Sequence, residues 1–177
     1  KPYHAHALGA SGAIEAAILT PPYTVMAERK GLNNFVWLGD ILGDVPSNGL
    51  STTVKTLKEN PDQVHRMLRA SVRSMIYTRE HKQEVLPILL KEFPGLDGDT
   101  LAGTLDFYVK AMSRDGRVGE GVVRELINEQ RELLNVKNEI SVNQVSDFGP
   151  LQRVIRELNL NKLRTGRRIV QLALLLH

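Results

Sequence analysis

The stretch Ala16-Ala17-Ile18-Leu19-Thr20-Pro21-Pro22-Tyr23-Thr24-Val25-Met26-Ala27-Glu28-Arg29-Lys30-Gly31 decides the fold expectation. Residues 16–20 are a short apolar run stopped by two prolines, the pattern of a buried strand closed by a turn. Residues 23–30 fit a helix, with Pro21-Pro22 tolerated at its first turn and Gly31 ending it. Working outward, Asn34-Phe35-Val36-Trp37-Leu38 predicts a second strand broken by Gly39-Asp40. Residues 49–54, rich in β-branched side chains, predict a third. Strand, helix, strand at this spacing is the pattern of a parallel α/β unit.

From Asn60 onward the periodicity is helical. Asn60-Pro61-Asp62-Gln63 supplies a cap and a proline at the first helical position. Val64, Met67, Leu68, Val72, Met75 and Ile76 then repeat on one face at the 3.6-residue period. Val85, Leu86, Leu89, Leu90 and Phe93 mark a second helix, with Pro87 near its first turn or at a kink. Asp97 caps a third helix carrying Leu101, Leu105, Tyr108 and Met112. A fourth covers residues 119–134, and Ser146-Asp147 opens a last short one with Leu151, Val154, Ile155 and Leu158.

The 177 residues suit one domain or a piece of a larger one. An apolar fraction of 42% with 24% charged residues speaks against wholesale disorder. The absence of cysteine excludes a disulfide framework, a thiolate zinc site and a cysteine nucleophile. No run approaches the ~20 apolar residues of a membrane span. Lys1-Pro2-Tyr3-His4 leads into no apolar signal core, so the start reads as the interior of something longer. The net charge of +3 and a pI near 9.3 first suggest a nucleic-acid binder. The excess is local. After Glu157 there is no acid, and Lys162, Arg164, Arg167 and Arg168 lie in residues 162–177; without those four, 19 basic residues face 20 acidic ones. No nucleic acid is therefore expected as a partner, and the apolar end of that tail is too short to span a bilayer.

Few motifs carry chemistry. His4-Ala5-His6 puts two imidazoles on one side of an extended chain, but with no third ligand nearby a solvated stretch accounts for it better. Gly9-Ala10-Ser11-Gly12 lacks the lysine of a phosphate loop. Asp97-Gly98-Asp99 begins like a calcium loop and lacks the later ligands, so a helix cap explains it better. Arg66, Arg69 and Arg73 form a basic stripe opposite an apolar face, where a solvated outer surface is the simpler account. Glu80/Glu84 and Glu125/Glu129 sit at helical spacing on polar faces, and nothing marks them as catalytic acids. Thr20-Pro21-Pro22-Tyr23 stands out because it falls where a strand ends and a helix begins. Ligands of open α/β sheets bind there, and a helix start offers N–H groups to an anion. Ligand contact through Thr20 and Tyr23 and a purely structural turn are both open on this evidence.

Residues 9–31 (GASGAIEAAILTPPYTVMAERKG) resemble a segment of the type II periplasmic solute-binding proteins, in particular those of nitrate/sulfonate/taurine-type ABC importers. That domain is shared with thiamine-pyrimidine synthases. Glu15 stands at the acid of the family pattern, residues 57–77 resemble its Pro-opened helix, and Val145-Ser146-Asp147-Phe148 its closing V-x-D-F element. The resemblance covers residues 7–160 and implies the helix-rich carboxy-terminal part of a two-lobe α/β fold. Residues 1–48 would end the second lobe and return from it, residues 49–160 would belong to the first lobe, and residues 161–177 form an atypical tail. The implied function is capture of a small solute, such as a sulfonate, nitrate or a pyrimidine-like compound, by lobe closure. The solute passes to an ABC permease in a periplasmic or other extracytoplasmic setting, with no chemical step, cofactor or metal. Thr20, Pro22 and Tyr23 are the expected ligand contacts. Trp37, the only tryptophan, is expected in the core of its strand. Cut sheet edges invite homodimerisation or strand exchange. The alternatives on the same fold are a synthase-like enzyme, against which the scattered His4, His6, His65, His81 and His177 weigh, and a sensory ligand-binding domain.

Overall fold

The computed structural model describes residues 11–42, 45–46, 48–160 and 174–176. Its elements are α1 (Tyr23–Arg29), α2 (Leu38–Leu42), β1 (Leu50–Thr52), α3 (Val54–Glu59), α4 (Pro61–Glu80) and α5 (Lys82–Glu92). They continue as α6 (Gly98–Ala111), α7 (Glu120–Leu133), α8 (Val142–Val145), α9 (Gly149–Glu157) and β2 (Leu174–Leu176). The described residues are mostly helical, with two strands of three residues each, which overturns the α/β expectation. In place of a central sheet, β1 and β2 pair in parallel, Leu50 opposite Leu174 and Thr52 opposite Leu176.

The strands expected at 16–20 and 34–38 are the source of the error. Both segments are irregular, with Ile18 81% and Phe35 84% exposed. A parallel strand needs a hydrogen-bonded neighbour for its backbone and cover on both faces. Among the described residues no ladder runs beside either segment, and the Thr20 and Trp37 carbonyls instead accept from the N–H groups of the helical turns that follow them. Trp37 is likewise 41% exposed and lies just before α2, outside any strand core. Of the three predicted strands only residues 49–54 yield one, shortened to Leu50–Thr52.

The chain divides into two compact units. In one, the described residues are 11–40 and 78–110, holding α1, α5 and most of α6, with Ala27, Leu101 and Leu105 buried. Helix α5 continues through Pro87 and has no fully buried residue; Lys82 at its start pairs with Asp106 of α6.

The other unit contains two apolar clusters. Val64, Leu68 and Val72 of α4 pack with Leu151, Val154 and Ile155 of α9. Val123 and Ile127 of α7 pack with Val142 of α8. Phe148 touches both clusters and joins them. The buried stripe of α4 is Val64, Leu68, Val72 and Met75, whereas Met67 is 54% exposed, off the face to which its spacing assigned it. Helix α8, absent from the sequence expectation, is a single turn in which the Gln144 side chain accepts a hydrogen bond from the Ser141 N–H (2.7 Å). The helix expected to open at Ser146-Asp147 begins at Gly149, and the Asp147 carboxylate accepts from the Gly149 N–H (2.8 Å).

Candidate functional site

The Thr20–Tyr23 turn keeps its helix and loses its strand. Thr20 is exposed, Pro21 is buried, and Pro22 and Tyr23 are half-buried. The Pro21–Pro22 peptide is cis, and Pro22 occupies the N-cap of α1. The Thr20 carbonyl accepts from the N–H groups of Tyr23 (3.0 Å) and Thr24 (3.4 Å). Pro22 has no N–H to offer. The first two amides of α1, those of Tyr23 and Thr24, are therefore engaged within the turn. What the turn presents to a ligand is the Thr20 hydroxyl and the apolar body of Tyr23.

Helix α1 is only seven residues long, too short to be stable alone, so its position depends on what holds it. Gly31 at φ +82° closes it, with the Leu32 N–H reaching back to the Ala27 carbonyl (3.1 Å). Midway along, Val25 lies against Gly103 of α6. A Cβ at position 103 would fall 2.9 Å from Val25 Cγ1, so glycine there allows a close approach of the two helices.

At its far end Arg29 reaches the start of α6. Its Nη1 donates to Asp97 Oδ1 and to Thr100 Oγ1 (2.9 Å), and its Nη2 donates to Asp99 Oδ2 (3.2 Å). Asp97 caps α6 as its sequence position predicts: Oδ1 accepts from the Thr100 N–H (3.0 Å) and Oδ2 from the Thr100 hydroxyl (2.8 Å). Thr100 is buried. The Thr100 backbone and hydroxyl bonds, and then Arg29, hold the Asp97 carboxyl well below the usual carboxylate range. The guanidinium sits at the negative end of α1 and the carboxylates at the positive end of α6, so both helix dipoles favour the arrangement. With Val25 at Gly103 and Arg29 at Thr100, α1 and α6 run antiparallel.

Sequence reasoning missed Arg29. Its partners lie 68 to 71 residues away, and the only local signal was a cation in the last turn of a short helix. Trp37 stacks on Phe107 with ring centroids 5.0 Å apart, Phe107 meets Tyr108 edge-on at 5.5 Å, and the Lys110 ammonium stands 5.9 Å from the Trp37 ring centre. The tryptophan therefore has partners on its own surface patch.

A groove of about 470 Å³ in the other unit includes Arg117, Asn143, Ser146, Asp147 and Phe148 in its lining. Most of its chemistry is engaged internally. Arg117 Nε donates to buried Asp115 (2.7 Å), Ser146 Oγ donates to the Val142 carbonyl (3.1 Å), and Asp147 accepts from Gly149. The V-x-D-F element thus serves as a structural corner here. Arg66, Arg69 and Arg73 are exposed. His65 pairs with Glu157 (2.9 Å) and His81 with Glu84 (3.0 Å). No group of three metal-ligating side chains occurs among the described residues, and His4 and His6 lie outside them. No described helix is long and apolar enough to cross a membrane. No family model, curated protein or solved structure matches this chain.

Proposed function

We propose that this chain takes part in capturing a small solute for an ABC-type importer on the extracytoplasmic side, with Thr20, Pro22 and Tyr23 as contacts. The observation that carries this is the turn itself. An exposed Thr20 and a half-buried Tyr23 flank two prolines, at the head of a helix held against α6 at both Val25 and Arg29. Such a turn offers one hydroxyl and one ring face on a supported frame, the combination of a few placed polar groups and apolar surface that small-solute sites use. The likeness of residues 9–31 to the solute-binding proteins supports the same reading. Capture needs no bond-making step; Thr20 hydrogen-bonds the solute and Tyr23 packs on it.

Isothermal titration with taurine, nitrate and 4-amino-5-hydroxymethyl-2-methylpyrimidine tests this. Saturable binding of one of them is expected, weakened at least tenfold in Thr20→Ala and in Tyr23→Ala, the loss of about 1.4 kcal/mol or more. No binding by any of the three, or binding that survives both substitutions, overturns the proposal.

A further inference from the structure

We infer that Arg29 is a positioning residue, and that its contacts with Asp97, Asp99 and Thr100 form a latch that fixes the Thr20–Tyr23 turn. The inference rests on the reading of that turn as the solute contact. It follows from the length of α1 and from where two of its contacts with α6 lie. The turn is hydrogen-bonded into the first turn of α1 through the Thr20 carbonyl, so it moves with the helix. Val25 against Gly103 brings α1 close to α6 at one point, and Pro21 and Ala27 are buried as well, but such apolar packing is not directional. Arg29, one helical turn further on, supplies the second point and sets the direction of the axis.

Exposed ion pairs ordinarily contribute little, because two mobile side chains must be ordered to form them. Here the acceptor side is already ordered. Asp97 is held by two bonds from Thr100, and Thr100 itself is buried, so at these two acceptors Arg29 is the side chain that loses freedom, while the more exposed Asp99 adds a third, weaker contact. The planar guanidinium spans three acceptors at once, which a lysine ammonium, a point charge, does not reproduce. Asp97 has a separate duty as the cap of α6, so the two roles of the cluster can be told apart by changing Arg29 alone.

Hydrogen exchange resolved along the chain is the test, on the full chain as wild type, Arg29→Ala and Arg29→Lys. In Arg29→Ala the amides of residues 23–29 should exchange about five- to tenfold faster, with those of residues 64–76 unchanged; Arg29→Lys should restore only part of the protection. Affinity for whichever of taurine, nitrate or the aminopyrimidine binds the wild type should fall by a similar factor in Arg29→Ala. Unchanged exchange at 23–29, acceleration spread equally over the chain, full restoration by lysine, or loosened exchange with undiminished affinity would each overturn the latch. If none of the three compounds binds the wild type, the solute-capture reading fails, and the exchange pattern still decides whether Arg29 holds the turn.

Discussion

Asp97 shows how one side chain serves two elements. Its carboxylate is acceptor for the first turn of α6 and counter-charge for Arg29 of α1. Because its folded-state pKa lies below the ordinary 3.8, the ionised form is the one the fold favours. That contribution is complete above the ordinary value and is lost as pH falls through the lowered one. Acidification from pH 7 to about 4, by which ordinary carboxylates are about half protonated, should therefore leave the Asp97 cap in place. Protection of the Thr100 amide followed by NMR checks this, and it should stay level over that range. In Asp97→Asn the amide oxygen still caps α6 while the charge facing Arg29 is gone. The Thr100 amide should remain protected and the amides of α1 should exchange faster.

At the scale of elements, the pairing of α1 with α6 depends on a missing methyl group. Alanine in a helix interior is worth about 1 kcal/mol over glycine, so Gly103→Ala would be stabilising on propensity alone. The new Cβ would fall 2.9 Å from the stiff Val25 side chain, and overpacking of this kind costs about 1–3 kcal/mol. Sterics win or cancel the gain, so Gly103→Ala should change urea stability by about 0 to 2 kcal/mol downward and speed exchange in α1. Adding Val25→Ala should return α1 toward wild-type protection, because the collision is removed. Helix α4 makes the complementary point. Its buried residues follow the 3.6 period, but Met67, apolar and placed beside that stripe, faces water. Met67→Ala should shift the unfolding midpoint by less than about 0.5 kcal/mol equivalent, as an exposed position does.

For the molecule as a whole, the larger of the two apolar clusters among the described residues lies where α4 meets α9. Ile155 is 2% exposed within that cluster, and Ile155→Ala should cost about 2–4 kcal/mol by urea denaturation, a large part of the ~5–15 kcal/mol typical of a domain. A loss below about 1 kcal/mol would show that the cluster is not the core. The residues of that core were legible in the chain order, because an amphipathic helix carries its own hydrogen bonds and declares its buried face locally. So were the cap at Asp97, the stop at Gly31 and the proline turn ahead of Tyr23. Strands differ, since their hydrogen bonds are made to other segments. Residues 16–20 and 34–38 have strand composition, yet among the described residues no strand pairs with them, and Ile18 and Phe35 stand in water. Sequence by itself thus determined the long amphipathic helices α4, α6 and α7 and the buried faces of α4 and α9, properties settled within a few residues, whereas the short helices α2, α3 and α8 escaped it. Tertiary structure alone decided whether a strand-like segment forms a strand, which face of α1 meets α6, and that Arg29 reaches Asp97 across 68 residues, because each depends on groups that only the folded chain brings together.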